Sequence, residues 1–364
     1  MSERKPFIPK YRQIADDLRR RILQGELRSG QQLATERELC QRYGVERVTA
    51  RRALAMLQDE ALIEKRPGIG SFVSGGTAPE ERPRASRSLL FAMRQNDNGI
   101  RHNTTSCNTK LFFALEDICR KNGWLLSYLA TDDETSLTGV LEEHSVQGVF
   151  LVSSYQEQVI SELIRLKMPA VMLNHVDPRL LSVMPDNQGM LRQVIGHLTD
   201  AGHRRIAYID GMPDSCNARE RWEAFRSALF LCGIRVDPSL YFVGNWTYEG
   251  GREAARQLLS TRVRPTALFA ASDMMAIGAM EEFRRQGVRI PDDISVVGYD
   301  DLDLDALLSP PLTSATVDFG HMSEIAFERM LDRIQYGERP QDRYVIRMPA
   351  HLIRRGSVAR LPGG

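Results

Sequence analysis

The sequence predicts a multidomain protein: a small α+β head of three helices and a hairpin, then a large α/β body of two subdomains. Three observations predict it. Helical apolar spacing and a glycine-broken pair of β-prone runs fill residues 1–75. A stretch rich in Gly, Pro, Ser and charge, without apolar period, covers residues 76–88. Beyond it, short apolar runs alternate with amphipathic stretches to the end of the chain. At 364 residues there is room for two or three domains. A hydrophobic share of 42% and a charged share of 26% are ordinary for a globular protein. The net charge of +1 conceals an asymmetry. Residues 1–75 hold 15 Lys+Arg against 10 Asp+Glu, and the remainder 33 against 37. A basic head on an acidic body points to nucleic acid as the partner of the first part.

In the head, Tyr11, Ile14, Ala15, Leu18 and Ile22 recur at helical spacing, predicting a first helix over residues 10–23. Gly25 and Gly30 mark a loop. Thr35 and Glu38 fit a capping box that opens a short second helix ending at Gly44. Residues 46–56 then form a third helix of about three turns. Val48, Leu54 and Leu57 give it an apolar stripe, and Arg47, Thr49, Arg51 and Arg52 crowd the other side. Alone, this reads first as an amphipathic surface helix with a solvated arginine face. After a helix and a glycine turn it is the second helix of a helix-turn-helix. The β-prone runs 62–65 and 71–74 flank Arg66-Pro-Gly-Ile-Gly70, where Gly68 and Gly70 permit a hairpin. A phosphate loop is disfavoured because a hairpin rather than a strand-to-helix junction surrounds these glycines. Lys65 and Arg66 at the hairpin tip can reach a flanking minor groove or the DNA backbone.

The run PKYRQIADDLRRRILQGELRSGQQLATERELCQRYGVERVTARRALAMLQDEALIEKRPGIGSFV resembles the GntR-type winged helix-turn-helix over about 65 residues without internal gaps. The resemblance implies DNA contacts at Arg37, at Arg47, Val48, Thr49 and Arg51, and at Gly68 in the wing. Two positions depart from the pattern. Glu46 replaces a serine, and either accepts from a cytosine amino group or favours the helix dipole. Val48 replaces a threonine, offering a contact to a thymine methyl. The following stretch reads as a solvated tether carrying Arg82, Arg84 and Arg87.

In the body, residues 89–93, 125–130, 148–152, 170–173, 206–209, 241–243, 267–270 and 294–298 read as buried strands. Residues 110–122, 188–201, 218–232, 250–259 and 274–286 read as helices between them. Such alternation implies parallel sheets covered on both faces, and about 275 residues imply two subdomains. Ligand groups in such folds sit past the carboxyl ends of strands. Those positions hold Arg94-Gln-Asn96, Ser153-Ser154, Asn174, Ser272-Asp273 and Asp300-Asp301. No nucleotide-binding glycine motif, nucleophile elbow or metal-spaced histidine cluster is present, so no cofactor or metal is expected. The five cysteines are scattered without C-x-x-C spacing, which points to neither a disulfide framework nor zinc. The charged N-terminus and the lack of an apolar run of ~18 residues lead to the expectation of a cytoplasmic protein without a membrane partner.

The stretch ASDMMAIGAMEEFRRQGVRIPDDISVVGYDDLDLDALLSPPLTS resembles the sensor domain of the LacI family, whose fold is shared with periplasmic sugar-binding proteins. LTDAGHRRIAYIDG, ARERWEAF and the terminal HLIRRGS extend it. The resemblance implies ligand in a cleft between two subdomains joined by three crossovers, about 89–185 with 318–340, and 186–317 with 341–360. It places Arg221 on ligand oxygens, Asp300 on ligand hydroxyls and Trp246 on a sugar face. Asn174, Ser272 and Arg94 fall at further contact positions, with Asp273 capping the next helix. Each has a plainer role open to it. Arg221 can pair with Glu220 or Glu223, Asp300 can be a turn residue, and Trp246 can be core. Guanidinium, carboxylate and aromatic plate together suit a polyhydroxylated ligand.

A GntR-type head on a LacI-type body is similar to the arabinose-repressor architecture. The expectation is a ligand-responsive transcriptional regulator, a repressor, binding double-stranded operator DNA as a homodimer under a carbohydrate effector. The alternative is an α/β enzyme or carrier acting on a small polyhydroxylated molecule.

Overall fold

Three helices, Lys10–Leu23 (α1), Glu36–Tyr43 (α2) and Arg47–Asp59 (α3), open the chain. The computed structural model describes residues 10–28, 30–60, 62–66, 69–74, 87–94, 107–131, 137–143, 145–153, 155–213, 215–337 and 344–361. It divides into two compact units at Arg84–Ala85, within the predicted tether.

Ile14, Ala15 and Leu18 of α1, Leu39 of α2 and Ala50, Ala53 and Leu57 of α3 are buried together as the head's core. The capping box forms as expected. The Thr35 hydroxyl accepts from the Glu38 amide at 3.3 Å, and the Glu38 carboxylate accepts from the Thr35 amide at 2.8 Å. Gly44 ends α2 in the left-handed conformation, φ 61°. Glu46 is the residue before α3, and its side chain makes no capping bond. The helix therefore starts one residue later than predicted. Ile63–Arg66 (β1) and Gly70–Val73 (β2) form the antiparallel hairpin, with Ile63 opposite Val73 and Arg66 opposite Gly70. Gly70 has φ 137°, and a Cβ there would stand 2.7 Å from Gln32 Nε2. The predicted contact Gly68 lies outside the described residues.

The first lobe of the body comprises Ser88–Arg94 (β3), Cys107–Lys121 (α4), Leu125–Thr131 (β4), Leu137–Glu143 (α5), Gly148–Val152 (β5), Glu157–Arg165 (α6), Ala170–Leu173 (β6) and Leu181–Pro185 (β7). The second comprises Asn187–Asp200 (α7), Ile206–Asp210 (β8), Cys216–Leu231 (α8), Tyr241–Val243 (β9), Tyr248–Leu259 (α9), Ala267–Ala270 (β10), Asp273–Arg285 (α10), Ser295–Tyr299 (β11) and Thr313–Val317 (β12). Phe319–Tyr336 (α11) returns to pack on α4. Val345–Met348 (β13) then pairs with β7, and Ala350–Ile353 (β14) pairs with β12.

The two six-stranded sheets run β13-β7-β6-β5-β3-β4 and β14-β12-β11-β10-β8-β9. Every pairing in them is parallel except that of β14. Continuous burial along β5, β6, β8 and β10 reflects cover on both faces. The chain changes sheet at residues 186, 318 and 349. Asp186 and Asp318 each cap the helix that follows, accepting from the amides of Gly189 and His321 at 3.0 Å. The third change corrects the expected boundary at 341: β13 hydrogen-bonds to β7, so it belongs to the first lobe. Strand β3 likewise starts at Ser88, inside the predicted tether.

Helices α9 and α10 pack through glycines. A Cβ on Gly278 would lie 2.0 Å from the Tyr248 carbonyl oxygen, and one on Gly251 2.1 Å from that of Met275. Gly278→Ala is expected to destabilise the body by about 1–3 kcal/mol through overpacking. An unchanged melting transition for that variant is the contrary result.

Candidate DNA interface and ligand cleft

On the head, Arg37 of α2 and Arg47, Val48 and Arg51 of α3 are exposed, and Thr49 is half-buried. Val48 is 75% exposed and is not part of the head's core, so the expected apolar stripe of α3 holds Leu54 and Leu57 without it. Arg47 Nε donates to Glu36 at 2.8 Å, and Arg51 donates to it through Nε at 3.1 Å and Nη2 at 3.2 Å. These two guanidiniums, Arg51 foremost, hold the Glu36 carboxyl down to about 2. One carboxylate thus holds both guanidiniums of the fan in place. Sequence spacing did not reveal Glu36, because it stands 11 and 15 residues from its partners. Two basic residues are otherwise engaged. Arg52 lies over the Tyr11 ring at 4.2 Å, and Arg66 bonds Glu64 and covers Phe72 at 4.6 Å.

In the body, parallel strands bring their carboxyl ends to one edge of each sheet. Arg221 on α8 is buried at 5% exposure; its Nη1 donates to the Ala271 carbonyl. Its guanidinium lies 3.5 Å from the Tyr299 ring centre and 5.4 Å from that of Trp246. This excludes surface pairing with Glu220 or Glu223. Glu223 pairs with Arg226, and Glu220 takes both terminal nitrogens of Arg347 on β13 at 2.7 and 2.8 Å. Asn187 links that pair to the cleft, donating to Glu220 at 2.9 Å and accepting from the Tyr299 hydroxyl at 3.1 Å.

Asp300 follows β11 at φ 132°, is 6% exposed, and lies near Cys107, whose thiol donates to Asn108 Oδ1 at 3.8 Å. Burial pushes its carboxyl up to about 7, against the pull of Arg221. Asp300 Oδ1 and Arg221 Nε are both buried without a hydrogen-bond partner. Native proteins rarely leave such atoms unpaired without a functional reason. Asp301 turns away, to Arg355.

Asp273 does not cap α10, contrary to expectation. Ser272 does, accepting from the Met275 amide at 3.3 Å. Asp273 is wholly buried and accepts from Ser314 at 2.7 Å and the Leu302 amide at 3.1 Å, fixing the loop that presents Asp300. Gly298 makes room for it, since a Cβ there would stand 2.0 Å from Asp273 Oδ1.

Trp246 has φ 62° and its ring lies over Gly211, where a Cβ would come within 2.0 Å of it. Asn174, at φ 53°, donates to Asn108 at 2.9 Å and accepts from Asn217 of the second lobe at 2.9 Å. Lys110 crosses likewise to the Asp301 carbonyl and to Asp303 at 3.2 Å. Arg94 ends β3 opposite Thr131 and lies by Tyr155. The structure thus joins Arg221, Asp300 and Trp246 around one point, with Ser272 adjoining. Cys107, Asn108, Lys110 and Tyr299 were missed. The first three begin α4, whose preceding loop has no pattern to read, and Tyr299 reads as plain strand. Among the described residues, no group of His, Cys, Asp and Glu is placed to hold a metal, and no helix is long and apolar enough to cross a membrane.

A winged helix-turn-helix and a two-lobed α/β body with a polar cleft define a DNA-binding regulator with a small-molecule sensor. Residues 10–73 match the family of bacterial regulatory proteins, gntR family, and residues 195–358 match the periplasmic binding protein-like domain. The HTH-type transcriptional repressor PurR of Photobacterium profundum is 31% identical over 267 residues, 70% of this chain and 79% of that protein. The ribose operon repressor of Escherichia coli (strain K12) is 30% identical over 267 residues, 71% and 80%. A solved complex of the transcriptional regulator CelR with cellobiose covers 97% of this chain and 100% of its own, at TM-score 0.68 and 23% identity, a likeness of fold. The chain belongs to the family of these HTH-type transcriptional repressors, and carries a gntR-type head.

Two outcomes follow from the geometry. Glu36→Gln removes the clamp on Arg47 and Arg51 and one negative charge. Binding to random duplex is expected to strengthen and the preference for a selected site to fall several-fold, read by fluorescence anisotropy on both duplexes; an unchanged preference excludes an ordering role. Asp300 has its folded-state pKa raised above the ordinary 3.8. Between about pH 4 and 7 the folded state therefore holds more protons than the unfolded chain, and this contribution to stability is lost as pH rises through that window. The Tm of Asp300→Asn minus that of wild type should grow from about pH 5 to about pH 8. A constant difference contradicts the assignment.

Proposed function

We propose that the protein is a repressor that binds a near-palindromic operator as a homodimer in the cytoplasm, under control of a sugar or sugar derivative. The observation carrying this reading is the pair of unpartnered buried atoms, Arg221 Nε and Asp300 Oδ1, beside the Trp246 ring. A planar donor, an acceptor and an aromatic face match a hydroxylated ring. The ribose operon repressor, a relative, is named for a sugar operon, which supports the same class. Two-fold pairing would set two α3 helices on successive major-groove faces, roughly one helical turn apart. Arg37, Arg47, Thr49 and Arg51 would grip phosphate and guanine edges, Val48 a thymine methyl, and Gly68 the groove beside the wing. Asn174, Ser272 and Arg94 would complete the ligand's surroundings.

Effector closure that biases the dimer by only ~1–3 kcal/mol changes operator affinity several-fold or more. Release on ligand binding is the proposed sign. An enzymatic role is disfavoured for the neighbours Asp300 and Asp301, because their carboxyls face different partners and do not form an acid/base pair.

Arg51→Ala is expected to weaken operator binding by roughly 1–3 kcal/mol while leaving ligand titration intact. Asp300→Ala or Arg221→Ala should abolish the thermal shift that a sugar panel produces in the wild type, with operator binding kept. If no sugar shifts the wild-type melt, or the variants shift as it does, the ligand assignment fails.

A further inference from the structure

A cavity of about 190 Å³ opens on the second lobe, between α8 and the loop leading to β9. Its interior is aromatic. Trp222 lies 5.1 Å from Tyr208 and is stacked with Phe225 at 5.8 Å, ring centre to ring centre. Its mouth is cationic, carrying Arg204, Arg205 and Arg235. Arg205 is already held by Asp237 at 2.7 Å and by the Val263 carbonyl at 3.0 Å. Asp237 is the acid of this lining, and Arg205 and Ser239 occupy its carboxylate. Arg204 and Arg235 are exposed and make no hydrogen bond or ion pair among the described residues. Two unmatched guanidiniums over an aromatic floor complement a flat ring bearing an anionic group.

We propose that this cavity is a second small-molecule site, taking an aromatic or heteroaromatic carboxylate of one or two rings. The ring would lie against Trp222, and the carboxylate between Arg204 and Arg235. The site shares a wall with the ligand cleft, because Trp222 and Arg221 are neighbours on α8. Their side chains serve different chambers, Trp222 the cavity and Arg221 the cleft. The assignment is independent of what the cleft binds.

The test uses the full chain and naphthalene-1-carboxylate as probe, titrated calorimetrically at low salt. Saturable one-to-one binding is expected. The exposed double variant Arg204→Ala/Arg235→Ala should bind about tenfold more weakly or worse, since it loses charge-assisted hydrogen bonds. The uncharged 1-naphthamide should bind the wild type comparably weakly, a readout that needs no variant to fold. Asp300→Asn should leave probe binding in place. Absence of saturable binding overturns the proposal, as does equal affinity for acid and amide. Loss of binding in Asp300→Asn overturns it too, because the probe would then occupy the cleft.

Discussion

The arrangement of the body turns on one buried cation. Removing a guanidinium from water costs several kcal/mol unless neighbours replace its hydration. Around Arg221 the replacements come from separate parts of the fold: the Ala271 carbonyl past β10, the Tyr299 face on β11, the Trp246 ring after β9, and the Asp300 carboxyl. Each is delivered by the carboxyl end of a strand or the residues just beyond it. The parallel sheet is what makes that convergence possible, because all those ends lie along one edge.

Holding Asp300 there is costly, and a second tier of groups bears the cost. Its φ of 132° is a conformation that residues with a side chain rarely adopt. Asp273 anchors the next amide but one and Ser314, Ser314 in turn accepts from the Asp301 amide at 3.1 Å, and Arg355 takes the Asp301 carboxylate. Asp305 lies beside Asp273, and burial together with that neighbour pushes its carboxyl upward. The loop is thus fixed by buried polar contacts, alongside the buried Leu302 side chain. A rigid acceptor of this kind can discriminate between ligands, since it cannot move to satisfy a wrong one.

Much of this was legible in the sequence. The capping box at Thr35, the left-handed Gly44 and the regular βαβ alternation each have a local cause and so appear in local patterns. The strands Leu181–Pro185 and Thr313–Val317 were not legible. The first ends on proline, and the second is rich in Thr and Ser whose burial depends on distant partners such as Ser357 and Asp273. The same limit separated the site residues that could be found from those that could not. Arg221 and Asp300 sit in recognisable runs, RWEAF and GYDD. Glu36 and Lys110 act through partners distant in the chain, 11 and 15 residues away for Glu36 and 191 for Lys110. At the start of α10 two adjacent polar residues divide the roles, Ser272 capping and Asp273 facing inward, and no local pattern distinguishes them.

The two arginine sites differ in the way their tasks require. On α3 the guanidiniums are exposed and paired with a carboxylate that solvent still reaches, so each pair contributes little to stability. In the proposed DNA complex a phosphate would displace Glu36 at little cost, and the released counterions would supply the driving force. The clamp orients the side chains without competing strongly for them. Arg221 is the opposite case. Its guanidinium is enclosed, its Nε has no partner, and any group that satisfies that atom gains close to a full buried hydrogen bond. Exchangeable pairing suits a surface that must slide along a polyanion, and unrelieved burial suits a cleft that must answer to one small molecule. The same side chain serves both because solvent exposure sets the strength of its interactions.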